Sequence, residues 1–118
     1  MCDLVFVYGT LMKGKRNHHL LKTSTFIDNG SIEGFFMFDL GTYPGVAKSK
    51  YNSKVIGEVY KVDKQTMDKL DELEEVGYLY NKEEVEVILN NGETVNAFVY
   101  IYILKEYKEE LVYKVYKY

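Results

Sequence analysis

Val55-Ile56-Gly57-Glu58-Val59-Tyr60-Lys61-Val62-Asp63, running directly into Lys64-Gln65-Thr66-Met67-Asp68-Lys69-Leu70-Asp71-Glu72-Leu73-Glu74, is where the chain changes its period. The first nine residues alternate, with Val55, Gly57 and Val59 on one face and Ile56, Glu58 and Tyr60 on the other, which predicts a strand over 55–62. Asp63 then offers an N-cap, and Val62 and Met67 stand at the two ends of a hydrophobic staple, which predicts a helix from Lys64 to Glu74 or Glu75 with Gly77 as its stop. This is the one strong helix signal in the sequence. On either side of it the apolar pattern is that of strands.

Upstream, Leu4–Tyr8 reads as a buried strand that breaks into the glycine turn Tyr8-Gly9-Thr10-Leu11. Asn17–Leu21 reads as a short helical turn, and 31–38 as one strand in which Phe35-Phe36 mark a buried stretch. Gly41-Thr42-Tyr43-Pro44-Gly45 is a turn leading into Val46-Ala47. Downstream, Val85–Leu89 and Val95–Leu104 read as two strands joined by Asn90-Asn91-Gly92, with Asn91-Gly92 signalling a type I′ hairpin. The tail, Leu111–Tyr118, fits a strand, a short helix or a lid. The expected architecture is α+β: a small, mixed, mostly antiparallel β-barrel with one main helix.

Composition narrows the function class. A chain of 118 residues, 47% hydrophobic, fits a single domain over 1–118 with a real core. The 12 tyrosines and 6 phenylalanines suit a β-rich body. A net charge of -3, with lysines scattered among acids, argues against nucleic acid as partner. The lone cysteine, Cys2, excludes an internal disulfide, fits a reducing compartment and has no activating neighbour. No signal peptide and no membrane-length apolar run is visible, so the expected location is the cytoplasm.

The helix carries the sharpest chemical signal. At about 100° per residue, Met67, Leu70 and Leu73 form an apolar stripe, Asp68, Glu72 and Glu75 face away, and Asp71 lies on the boundary. Glu74 falls between Met67 and Leu70, on the stripe itself. A carboxylate there is costly unless it is paired, protonated or facing a cavity, and burial raises its pKa toward neutrality, where it can exchange protons. The alternative is a helix that frays before residue 74 and leaves Glu74 in water.

Other motifs resolve differently. Gly9-Thr10-Leu11-Met12-Lys13-Gly14-Lys15 matches part of a phosphate-binding loop, but Arg16 stands where the magnesium-binding Ser or Thr belongs, and no alternating βαβ pattern follows. His18-His19 lacks a second cluster with metal-ligand spacing, so no metal is expected. No Ser or Cys lies in a nucleophile motif. Glu83, Glu84 and Glu86 alternate with Val85 and Val87 as a solvated strand face. The turn after the first strand is the better site, because its backbone N–H groups lack ladder partners and can hold a carboxylate or an oxyanion.

Taken in order, Val5-Phe6-Val7-Tyr8-Gly9-Thr10-Leu11, Gly14, Asn17-His18, Tyr43-Pro44, Gly57–Asp63, Leu70-Asp71-Glu72-Leu73-Glu74, Tyr80 and Val85 resemble the gamma-glutamylcyclotransferase-like superfamily, most closely its gamma-glutamylamine cyclotransferase branch. The resemblance implies a small barrel with a cavity at one end and an enzyme that releases an amine from a γ-glutamyl compound, leaving 5-oxoproline. It places the catalytic acid/base on Glu74, the residue that helical geometry singles out, and substrate binding on Tyr8, Gly9, Thr10, Leu11, Tyr43 and Tyr80. It implies a small-molecule γ-glutamyl substrate and no cofactor. Lys82 stands where the related pattern has an arginine, keeping the charge but not the two-pronged fork. Two other readings share the same cavity: a non-catalytic module that binds a small acid, and an enzyme that removes a γ-glutamyl protecting group in a biosynthetic pathway.

Overall fold

A computed structural model describes residues 2–39, 44–49, 51, 53–77 and 80–103. Seven strands and one helix follow one another as β1 (Cys2–Val7), β2 (Thr25–Glu33), β3 (Phe35–Asp39), β4 (Pro44–Lys48), β5 (Lys54–Asp63), α1 (Lys64–Leu73), β6 (Tyr80–Leu89) and β7 (Thr94–Tyr102), with single 3-10 turns at Gly9–Leu11 and His18–Leu21. Five strands close into a barrel in the order β1-β5-β2-β6-β7, and β3 and β4 form a separate two-stranded sheet. All barrel pairings are antiparallel except the closing one, where Val5 of β1 lies beside Phe98 of β7 in parallel.

Two apolar layers follow from strand alternation. Phe6, Ile32, Val55, Val59, Val87, Leu89, Ala97, Val99 and Ile101 fill the barrel. On its outer side, Val5, Val7, Tyr60, Val62 and Tyr100 meet Leu11, Leu21, Met67 and Leu70, so α1 and the two 3-10 turns cover the wall. β1 and β7 are therefore clothed on both faces. The small sheet adds Phe36, Phe38 and Ala47 against Tyr102.

The expected barrel with one main helix is the architecture observed. The stretch 31–38 is a correction: it is two strands in two different sheets, broken at Gly34, whose φ of 82° takes the chain out of the barrel. Thr25–Asn29 extends β2 upstream, with a bulge between Phe26 and Asp28. β6 begins at Tyr80, five residues earlier than its apolar core suggests, because a polar edge can still pair: Tyr80 lies opposite Tyr102. The β6–β7 connection is not a type I′ turn. Gly92 N–H donates to the Leu89 carbonyl and only Gly92 takes a positive φ, 93°, the pattern of a type I turn closed by a left-handed glycine.

α1 starts as the sequence indicates, with Thr66 N–H donating to Asp63 Oδ1 at 2.7 Å. It ends at Leu73, with Glu74 as C-cap. Gly77 is not the stop. Glu75 itself adopts the left-handed conformation, φ 48°, while Glu75 N–H bonds the Glu72 carbonyl and Val76 N–H the Asp71 carbonyl. These two bonds are a Schellman closure with glutamate where glycine is usual. Among the described residues no helix is long and apolar enough to cross a membrane. The tail Leu111–Tyr118, Leu104 and the turn residues Gly41, Thr42 and Tyr43 lie outside the described residues.

Candidate active site

Glu74 takes its place from the way α1 lies on the barrel. Thr66, Met67 and Leu70 are the buried positions of the helix, and Glu74 is one turn beyond Leu70 on the same side. Its backbone N–H bonds the Leu70 carbonyl at 2.9 Å, so the inward face continues to the cap and the helix does not fray before it. Leu73 corrects the expected stripe: it is 40% exposed. The helix rolls toward the Thr66–Leu70–Glu74 side, and the last leucine turns to solvent. Burial pushes the Glu74 carboxyl up to about 7, with no charged partner behind the shift.

A hydrogen-bonded chain lies within electrostatic reach of this carboxyl, at Tyr100. The Tyr100 hydroxyl, on β7, donates to Asp71 Oδ1 at 2.7 Å and lies 3.5 Å from Met67 Sδ. Lys82 Nζ, on β6, meets Asp71 Oδ2 at 2.9 Å and sits 5.3 Å from the centre of the Phe98 ring. The expected solvent boundary at Asp71 is thus a half-buried anchor between helix and barrel. Burial, then the acceptor Asp71 and the nearby Glu74 charge, raise the Tyr100 phenol well above its ordinary range.

The turn after β1 is held from several sides. Gly9 has φ 73° and Met12 N–H returns to its carbonyl. Asn17 Nδ2 donates to Thr10 Oγ1 at 3.0 Å, and Asn17 N–H donates to the Thr10 carbonyl at 2.9 Å. His18 Nδ1 lies 2.9 Å from the Leu11 carbonyl, an atom that only accepts, so this nitrogen carries the proton. Asn17-His18 is therefore a brace for the turn. Gly9 and Thr10 open this 3-10 turn, so their backbone N–H groups have no partner within it. N–H groups at the start of such a turn can hold an anion. The Tyr8 hydroxyl donates to the Tyr100 carbonyl, tying the turn to the strand that also holds α1.

Leu11 and Tyr80 join Leu70 and Tyr100 in one apolar cluster, and Tyr80 meets Tyr102 edge-on at 5.4 Å. Leu11 and Tyr80 thus share the cluster that seats α1, Tyr8 is bonded to β7, Glu74 caps α1, and Tyr43 lies outside the described residues. Asp39 ends β3, and its carboxylate is not among the described side chains. Sequence reasoning missed Tyr100. Its signal was a strand apolar on both faces, Phe98, Tyr100 and Tyr102 against Ala97, Val99 and Ile101, in which a buried phenol must find an acceptor.

Residues 5–117 match the model of the family described as gamma-glutamyl cyclotransferase, AIG2-like. Gamma-glutamylaminecyclotransferase A of Danio rerio is 37% identical over 116 residues, covering 85% of this chain and 69% of the relative. The gamma-L-glutamyl-butirosin B gamma-glutamyl cyclotransferase of Niallia circulans is 34% identical over 112 residues, covering 89% and 70%. The crystal structure of an AIG2-like protein from Mus musculus superposes with a TM-score of 0.81 at 28% identity, covering 98% of this chain and 88% of that one.

Proposed function

The chain belongs to the gamma-glutamyl cyclotransferase, AIG2-like family and is an enzyme of that type, and on that premise we propose that it cyclises γ-glutamyl amines or γ-glutamyl amino acids to 5-oxoproline with Glu74 as general acid/base. The observation that carries this reading is a half-buried carboxyl raised to about 7, set at the end of the inward face of α1. A group with that pKa is basic enough to accept a proton and acidic enough to return it near neutral pH.

The substrate brings its own nucleophile, so no serine or cysteine is required. As the α-nitrogen attacks the γ-carbonyl carbon, Glu74 takes a proton from the α-ammonium. N–H groups of Gly9, Thr10 and Leu11 hold the substrate α-carboxylate or the developing oxyanion. The bond from the γ-carbon to the departing nitrogen then breaks, and Glu74 hands its proton to that nitrogen. Two protons leave the α-nitrogen in all, both end on the departing amine, and the amine leaves as an ammonium ion beside the neutral lactam. Five-membered ring closure is intramolecular, and well-oriented cases reach effective molarities of about 10⁵–10⁸ M. Tyr8 and Tyr80 contribute walls, and Tyr43 is assigned to substrate binding with them.

The test is a panel of γ-glutamyl amines and γ-glutamyl amino acids assayed for 5-oxoproline with the native protein and with Glu74→Gln. One large γ-glutamyl amine belongs in the panel, because the Niallia circulans relative is named for such a compound. Turnover should fall by about 10²–10⁴-fold in the variant, the usual contribution of a general acid/base. A folded Glu74→Gln protein with native turnover removes Glu74 from the chemistry. A panel in which nothing yields 5-oxoproline removes the reaction.

A further inference from the structure

Tyr100 is joined to the two parts of the candidate site by two different groups. Its side-chain hydroxyl donates to Asp71 Oδ1 at 2.7 Å, one helical turn before Glu74. Its main-chain carbonyl accepts the Tyr8 hydroxyl, at the head of the Gly9–Leu11 turn. The ring is 2% exposed, and Asp71 is held a second time by Lys82 at 2.9 Å. Helix and turn both reach this one strand position from upstream in the chain, across 29 and 92 residues. We propose that Tyr100 is a positioning residue that sets the separation between the carboxyl on α1 and the anion-binding turn after β1, with Asp71 as its anchor and Lys82 as the counter-ion that holds the anchor still.

Tyr100 acts by leverage. α1 is 10 residues long and ends at the base, so its N-cap at Asp63 lies at the far end. Near Glu74, Asp71 supplies the polar bonds to the barrel, to β7 through Tyr100 and to β6 through Lys82. Losing the phenol hydroxyl leaves the apolar seat of Met67 and Leu70 intact and frees the last turn to shift against β7. A displacement of about 1 Å at a reacting group costs as much as about 10²-fold in rate. Binding through the turn's N–H groups is untouched, because the Tyr100 carbonyl survives any side-chain change.

This inference rests on Glu74 as the base, and the test separates the two. In steady-state kinetics on the best substrate of the panel, Tyr100→Phe should lower kcat by about 10–100-fold with KM changed by less than about 3-fold. Asp71→Ala breaks the same bond from the helix side and carries the same expectation, which keeps the test valid should Tyr100→Phe not fold. The double variant should be no worse than Asp71→Ala, which already removes the bond to Tyr100 together with the Lys82 pair. Lys82→Arg should keep kcat and Lys82→Met lower it. Native kcat in Tyr100→Phe beside an inactive Glu74→Gln overturns the positioning role alone. A fall in melting temperature with unchanged kcat, or additive losses in the double variant, overturns it as well. An active Glu74→Gln overturns the reading beneath it.

Discussion

At the residue scale, one cause gives Glu74 both its use and its cost. Burial disfavours the carboxylate, so the folded protein holds a proton there up to about pH 7, whereas the unfolded chain releases it near the ordinary glutamate value of 4.5. Between these two values the native state binds one more proton than the unfolded state, and this group's stabilisation is complete below about 4.5 and lost as pH rises through about 7. The full difference is on the order of 3 kcal/mol. Activity runs the other way, because the base must be ionised: kcat/KM should rise with pH through about 7. Glu74→Gln should therefore be inactive and, at pH 8, more stable than the native protein, with the two converging near pH 4. Urea titrations at both pH values check this, and a variant less stable at pH 8 would contradict a desolvated carboxyl.

At the scale of the element, α1 is specified at its start and strained at its end. Asp63 caps the first turn as the sequence indicates. The Schellman closure, however, puts Glu75 at φ 48°, where a side chain costs about 1–2 kcal/mol and glycine costs little. Part of that gain is lost to glycine's freedom in the unfolded chain, about 0.5–1 kcal/mol. Glu75→Gly should raise stability by about 0.5–1 kcal/mol in urea unfolding. The exposed Glu75 side chain faces away from the site, so turnover should stay within about 3-fold. Loss of stability would mean that Glu75 makes a contact that outweighs its strain. The helix stripe is legible over two turns but not at its edge: Met67, Leu70 and Glu74 continue one side, and Leu73 turns to solvent. A periodicity gives the angles between side chains, and the barrel decides how far the helix rolls.

At the scale of the molecule, the site depends on the seam where β1 enters the barrel between β5 and β7. Gly57 of β5 is the closest approach there: a Cβ would lie 2.3 Å from the Val7 carbonyl and 2.7 Å from Phe6 Cζ. Gly57→Ala must push β1 away from β5, and β1 carries at its end the turn proposed to bind the substrate. It should cost at least about 2 kcal/mol and depress turnover, whereas Gly14→Ala, at φ 79° in open space, should cost roughly 1 kcal/mol. Equal melting temperatures for the two alanine variants would refute the crowded seam. The sequence by itself determined the kind of fold, the cap at Asp63, the turn at Gly9 and the inward face that ends on Glu74. These are signals between neighbours in the chain, written in alternation, helical period and turn chemistry. The tertiary structure alone decided that 31–38 divides between two sheets at Gly34, that Asn17 and His18 brace the turn, and that Tyr100 joins helix to turn. The first depends on where the barrel closes. The second needs a loop folded back on itself, and the third a bond across 92 residues, which no local pattern encodes.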